Sequence, residues 1–541
     1  MRRLLLASAA TLVGAATLYA PAQAAPPSVA ARAAVAAGEQ PLVYVIVLDG
    51  LDGDLYDAGR LPFLKGLVDT RGTYYQESRS IMVAETNPNH TAMISGAYAD
   101  ASGIPANDFA LYGKGATSVD GCPVAKNAKA PSKTGLAAAC VKAQTFFQST
   151  AGNQRITTAG VFGKPKLATL FSAKRSAKKY AADYLWTPCT GSHPSYCRKV
   201  PLSPYGYAND DDTMSALMAT VRKGVKSENG KRRTPNLTFV NMPTIDVTGH
   251  TYGAGKRYKK AATSADDQLR RFVKQQKKLG LWKRTVMFVV SDHSMATTER
   301  KVSLAQRFTQ AGIPTSAYVI VANGGTDLVY LSDPTSPDRF ALLAQMREAA
   351  LGREGVDEAL YREANPRDAG ASLDEVHPDW HLAGDRTGDL VVTQAAGGAF
   401  MDPSYFTVGG HGGPNTLDNI FTITGGWSGL AKNGTLTGQQ APRFDDTALE
   451  PGSGGERGRR ANRPGAARTA AAPRQQGPRA DGGVHGAVGG ACQRTPSKRA
   501  KSLSNDTMPQ LCSTARAARC ASLTRFPAVA NGASSRRRTP P

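Results

Sequence analysis

The 541-residue chain is 41% hydrophobic and 7% aromatic and carries a formal net charge of +23, enough length for several domains. From residue 451 onward 17 Lys and Arg face 3 acids, so much of the positive balance belongs to a tail, not to a folded body. Beyond the N-terminus no segment is long and apolar enough to cross a bilayer, which excludes an integral membrane protein with helical spans.

In chain order, Met1-Arg2-Arg3, the apolar stretch Leu4 to Tyr19 and Pro21-Ala22-Gln23-Ala24 form a basic start, an apolar core and an A-x-A cleavage signal. These features predict a secretory signal peptide over 1–24, cut after Ala24, and a linker over 25–40. No lipobox cysteine is present, so the expected outcome is export and release. One large domain over 41–447 follows. Its first apolar run, Val43 to Leu48, reads as a buried parallel strand ending at Asp49. Two further runs have the same relation to acids: Leu237 to Val240 shortly before Asp246, and Val286 to Val290 before Asp292. Strand C-termini in an open parallel sheet form one crevice, so the three carboxylates are expected on one rim. His250, His293 and His411 add imidazoles, and carboxylate with imidazole suits two zinc or similar divalent ions; manganese fits the same donors. Between the first two acids, Thr86 precedes a segment, His90 to Tyr98, that reads as a helix whose N-terminal N–H groups could face a phosphate.

These residues sit in an ordered series: Leu48-Asp49-Gly50, Glu85-Thr86-Asn87-Pro88-Asn89-His90, Gly103-Ile104-Pro105-Ala106-Asn107, Asp246-Val247-Thr248-Gly249-His250, Ser291-Asp292-His293-Ser294-Met295 and Gly410-His411-Gly412. The series resembles the motifs of the nucleotide pyrophosphatase/phosphodiesterase family of the alkaline phosphatase superfamily, over roughly residues 41 to 445. The resemblance implies an α/β fold, a mostly parallel central sheet with helices on both faces. It implies that Asp246, His250 and His411 hold one zinc ion, and that Asp49, Asp292, His293 and the Thr86 hydroxyl hold the other. It further implies that Thr86 is the nucleophile and passes through a phosphothreonine-type ester. Asn107 matches the asparagine whose amide, with the Thr86 backbone, steadies a phosphoryl oxygen. The implied substrate is a small phosphodiester, nucleotide or related phosphorylated compound. Departures occur at Asn87, where an aromatic is common, at Ser294, where glycine is usual, and at Ala254, where proline is frequent. The Thr86-to-Asn89 string also resembles phosphonoacetate hydrolases, which keeps monoester and phosphonate cleavage open.

Other candidates read as structural. His90 is expected to be buried. His377 and His381 have i,i+4 spacing, but Pro378 lies between them. Asp210 to Asp212 precede a helix-like stretch, Thr213 to Arg222, and suit its first turn. Phe109 and Tyr205 could stack on a base or ring, but core or surface packing is the role assigned to each. Cys122 with Cys140 and Cys189 with Cys197 are the expected disulfides of an exported protein. Further strands are expected at Ala317 to Val321, Leu328 to Leu331, Leu390 to Thr393 and Ile420 to Thr424, and helices at Ser264 to Leu279 and Arg339 to Leu351.

The tail over 448–541 is rich in Gly, Ala, Pro, Arg and Ser and reads as disordered. An arm contacting a polyanion and an out-of-frame product of a high-GC gene both account for this composition. It lacks the interleaved aromatics of a base-stacking surface and carries an odd set of cysteines, Cys492, Cys512 and Cys520. From a different class, the whole chain would be a basic polyanion-binding protein with a vestigial site.

Overall fold

The computed structural model describes residues 40–430 apart from 115, 125–130, 192–193, 353 and 402–406, together with the backbone of 434–436. The predicted signal peptide, all but the last residue of the linker, the basic tail and its three cysteines lie outside the described residues. Among the described residues no helix is long and apolar enough to cross a membrane.

The strands that matter are β1 (Leu42–Leu48), β2 (Gly72–Tyr75), β3 (Thr158–Phe162), β4 (Tyr184–Pro188), β5 (Cys197–Arg198), β6 (Leu237–Met242), β7 (Thr285–Val290), β8 (Tyr318–Asn323), β9 (Thr326–Leu331), β10 (Val356–Tyr361), β11 (Leu390–Gln394), β12 (Phe421–Gly425) and β13 (Gly434–Leu436). Nine of them form one sheet in the order β5-β4-β3-β6-β1-β7-β12-β2-β13. The six from β5 to β7 run parallel, and β12 pairs antiparallel with β7 and β2. The sheet is therefore mostly parallel, as expected, with an antiparallel strand set into it.

Central strands are apolar on both faces because both faces are covered. Ile46, Leu48, Val240 and Val289 belong to one buried cluster, while their neighbours Val47, Phe239 and Val290 belong to another. The first cluster lies under α3 (Asp210–Lys223) and α5 (Lys256–Lys278). In α5 the buried stripe Tyr258, Ala262, Ala265, Leu269, Phe272 and Val273 follows the helical period, and the Phe272 ring meets Tyr44 of β1 edge to face at 4.9 Å. This helix starts eight residues before the predicted Ser264, since small and polar residues ahead of it continue the buried stripe.

The predicted strands near 317, 328 and 390 exist, but they do not join the main sheet. With β10 they make a separate antiparallel sheet, β8-β9-β11-β10. In β9, Leu328 and Tyr330 face the body of the domain, whereas Val329 and Leu331 face a third cluster that includes Leu343 and Met346 of α6 (Arg339–Leu351). Apolar runs reveal burial but not which sheet provides it. Both expected disulfides are present, Cys122–Cys140 and Cys189–Cys197, and each closes a short loop.

Asp210 links fold to site. It lies in the first turn of α3, where its Oδ1 accepts from the Thr244 N–H at 3.0 Å, while its own N–H donates to Thr244 Oγ1 at 2.9 Å. Thr244 opens α4 (Thr244–Tyr252), so the brace sets the start of the helix that carries Asp246 and His250. Burial pushes the Asp210 carboxyl up to about 6 despite the Thr244 hydrogen bonds. The native state thus holds this proton more tightly than the unfolded chain, and its stabilising contribution is full below about pH 4 and lost as pH rises through about 6. Asp210→Asn keeps the acceptor and removes the ionisation. In urea melts it is expected to gain on wild type between pH 4 and pH 7.5 by at most about 3 kcal/mol; an unchanged difference would contradict the assignment.

Candidate active site

The C-terminal ends of β1, β6 and β7 meet through registered pairing. Val47 stands opposite both Asn241 and Val290. The Asp49 N–H continues the β1–β6 ladder to Met242 O at 3.0 Å, and the Asp246 N–H returns to Asp49 O at 3.0 Å. Gly50 follows with φ +74, and a Cβ there would meet Asp246 Cα at 3.0 Å, so only glycine lets the two turns close up. The Gly50 N–H also donates to Asp292 Oδ1 at 3.0 Å. All three acids are buried on one rim.

Histidines complete the cluster. Asp246 and His250 share one face of α4, four residues apart, with Asp246 Oδ1 3.2 Å from His250 Nε2 and 3.5 Å from His411 Nε2. His411 follows Gly409 and Gly410, which pair with Ala296 and Thr297, and its ring stacks on His293 at 3.6 Å. In each imidazole Nδ1 donates to a backbone carbonyl: His250 to Gly409 O, His411 to Ala84 O and His293 to Ser294 O, at 3.0, 3.0 and 2.9 Å. That fixes the tautomer and turns three Nε2 atoms inward. Asp246 Oδ1, Asp292 Oδ2 and His293 Nε2 are buried without a hydrogen-bond partner. Two groups have donor atoms close enough to hold one ion each, Asp246-His293-His411 and Asp49-Asp292-His293. Converging, tautomer-locked nitrogens with orphaned carboxylate oxygens fit divalent cations of the zinc type. His293 belongs to both groups, whereas the family resemblance implies a place in one.

Thr86 is the first residue of α1 (Thr86–Ser95), so the helix begins four residues before the predicted His90 and the hydroxyl sits at its N-terminus. The helical N–H groups are less free than expected. Asn87 N–H donates to Asn107 Oδ1 at 2.8 Å, and Asn89 N–H to Glu85 O at 3.3 Å. Asn107 N–H donates to Glu85 Oε2 at 2.6 Å. These bonds leave the Asn107 Nδ2–H groups as its remaining side-chain donors. The Asn87 amide donates to Asn107 O, so this departure from the aromatic residue fastens the 103–107 loop to α1.

Three residues were missed in the sequence. Lys164 stands between β3 and α2 (Pro165–Leu170); β3 is a short strand containing Gly160 that the sequence pattern does not announce, and with it Lys164 stands at a strand end like Asp49. Its buried Nζ donates to Asp49 Oδ1 at 2.7 Å, Asp246 Oδ2 at 2.7 Å and Thr86 Oγ1 at 3.0 Å. Burial opposes its charge, but Asp246 and Asp49 outweigh burial and hold the ammonium well above its ordinary range. Burial likewise works against ionised Asp246, yet Lys164 and His250 hold that carboxyl well below the usual range. Asn241, within β6, donates from Nδ2 to Asp49 Oδ2 at 2.6 Å and bonds His90 Nε2 at 3.1 Å. Tyr207 lies with its ring centroid 5.3 Å from Lys164 Nζ.

The remaining candidates resolve as follows. His90 is structural, with Nδ1 on Thr86 O at 2.9 Å. His377 pairs with Glu358 and stacks on Trp380, while His381 stacks on Tyr98, so the two hold no common ion. Phe109 is core, and Tyr205 lies at the surface, its ring stacked on Tyr207 at 6.3 Å and 6.0 Å from that of His250. Asn241→Leu would leave Asp49 Oδ2 buried and unpaired. It is expected to cost about 2–3 kcal/mol in chemical denaturation and to lower metal retention on dialysis by about 10–100-fold; unchanged retention would show that Asn241 does not set Asp49.

No curated protein matches the chain significantly. Among solved structures it is similar to murine ectonucleotide pyrophosphatase / phosphodiesterase 5, an inactive form in complex with AMP, at 17% identity over 72% of this chain and 88% of that one, TM-score 0.51. It is also similar to phosphonoacetate hydrolase from Sinorhizobium meliloti 1021 in complex with phosphonoformate, at 18% identity over 71% and 90%, TM-score 0.51. At these identities the likeness establishes the fold, an alkaline-phosphatase-like α/β architecture. The family model described as type I phosphodiesterase / nucleotide pyrophosphatase matches residues 43–414, a span that contains every candidate ligand, and the chain therefore belongs to that family of phosphate-ester hydrolases.

Proposed function

We propose that the protein is an exported hydrolase that cleaves phosphodiester or phosphoanhydride bonds at a two-metal centre, with Thr86 as nucleophile. The observation that carries this reading is the convergence of three inward Nε2 atoms and three buried carboxylates beside a helix-terminal threonine hydroxyl. Asp246, His250 and His411 would hold one ion, and Asp49, Asp292, His293 and Thr86 the other. Such ions, when bound, supply positive charge that favours the alkoxide and offsets charge on phosphoryl oxygens.

Thr86 Oγ attacks phosphorus in line, forming the Thr86–phosphorus ester bond as the bond to the leaving oxygen breaks and the hydroxyl proton passes to that departing oxygen. Water then attacks the same phosphorus and the Thr86 bond breaks, returning the hydroxyl with its proton. The Asn107 amide, held by Asn87 and Glu85, donates to a phosphoryl oxygen in both steps. Tyr205 borders the site and would contact the leaving group or the retained ester. Export rests on the N-terminal segment, and the two disulfides suit an oxidising compartment. The basic tail would add contact with polyanions.

A second reading is a phosphomonoesterase or phosphonoacetate-type hydrolase, favoured by one observation: Lys164 places a further cation against Thr86, which suits a more highly charged substrate. Rates of the full chain on bis-p-nitrophenyl phosphate, p-nitrophenyl phosphate and phosphonoacetate, with and without EDTA, separate the readings. The first expects diester preference abolished by chelation. Monoester or phosphonate preference would replace it with the second. Salt-dependent polyanion binding without metal-dependent turnover would instead indicate a vestigial site.

A further inference from the structure

Lys164 contacts two atoms of one half of the proposed centre, Asp49 Oδ1 and Thr86 Oγ1, and one atom of the other, Asp246 Oδ2, so the two halves are not equally affected. Asp49 has both oxygens engaged: Oδ2 accepts from Asn241 at 2.6 Å, and Oδ1, the one nearer His293, accepts from Lys164 at 2.7 Å. Thr86 Oγ1 is engaged by the same ammonium. Asp246 differs, because Lys164 takes only Oδ2, and Oδ1 remains turned toward His250 and His411. An ion using Asp49 and Thr86 must therefore displace the ammonium from two of its four ligands, the other two being Asp292 and His293, whereas none of Asp246 Oδ1, His250 Nε2 and His411 Nε2 is held by that ammonium.

We propose that Lys164 is an internal counter-ion that competes with metal at the Asp49–Thr86 half of the centre, making the two positions load unequally. Three buried carboxylates lie within this cluster, and burying such charge without compensation is costly. Lys164 supplies that compensation while the chain is metal-free. On loading, the ammonium leaves Asp49 Oδ1 and Thr86 Oγ1, and the ring of Tyr207 offers it a neighbouring aromatic face. The weaker position is then the one that activates the nucleophile, so turnover would follow free metal concentration over a range where the first position is already filled.

This inference rests on the two-metal reading, and its test separates the two. The full chain is loaded with zinc and chased with EDTA, with zinc release followed by a chromophoric indicator, and equilibrium affinities are measured by chelator competition. Wild type is expected to release one zinc readily and one slowly. In Lys164→Gln and Lys164→Met the readily released zinc should bind at least about tenfold more tightly, while Lys164→Arg, which retains a cation, should keep it weak. The chase begins from loaded protein, so a variant that unfolds without metal still reports. Failure to bind two zinc ions sinks the two-metal reading itself. Two zinc ions with affinities unmoved or weakened in Lys164→Gln and Lys164→Met, or Lys164→Arg binding as tightly as Lys164→Gln, overturns the counter-ion role alone.

Discussion

Thr86→Ala is expected to lower turnover of a diester substrate by about a thousandfold or more, since a nucleophile acts as part of a unit with the groups that activate it. The fold should survive. Thr86 Oγ1 makes one contact, with Lys164, and that ammonium retains Asp49 and Asp246. The stability loss should therefore be about 1 kcal/mol. Zinc content should persist through Asp49, Asp292 and His293. Substantial activity in the variant would mean that water attacks the substrate directly.

Asp246→Ala is expected to fail in two ways at once. Asp246 is the carboxylate of the group that includes His250 and His411, and it is also one of two acids compensating Lys164. Removing it should abolish zinc-dependent turnover, again by at least about a thousandfold, with no rescue by excess zinc. It also leaves a buried ammonium with a single carboxylate, Asp49, so the metal-free variant should lose about 3 kcal/mol in denaturant titration. The sign of the stability change separates roles. A residue serving only metal would leave the metal-free protein unchanged or more stable, because it removes charge repulsion.

The candidate ligand set was legible because several of its members stand where a local pattern changes. Asp49, Asp246 and Asp292 follow apolar runs, and parallel strands deliver their ends to one rim whatever their separation in sequence. His250 is four residues beyond Asp246, a spacing that helix geometry turns into adjacency. Lys164 was hidden because its strand, Thr158–Phe162, is short and contains a glycine, so no strong run announced a strand end. Asn241 was hidden for another reason: a polar residue inside a strand signals nothing until its partner, the Asp49 carboxylate, is placed beside it. The antiparallel sheet β8-β9-β11-β10 shows the same limit at the level of fold, since an apolar strand does not encode which neighbours it pairs with. Tyr205 stacks on Tyr207 at the surface, and an aromatic in a loop carries no local sign of its distance from His250.

The most direct test of the central claim is to trap the covalent intermediate. The zinc-loaded protein is mixed with bis-p-nitrophenyl phosphate, quenched in acid within the first turnover, digested and analysed by mass spectrometry. The account predicts a p-nitrophenyl phosphoryl group on Thr86, absent from EDTA-treated protein and from Thr86→Ala. Rapid zinc-dependent release of p-nitrophenol with Thr86 unmodified at every quench time, or the group carried on another residue, would contradict it.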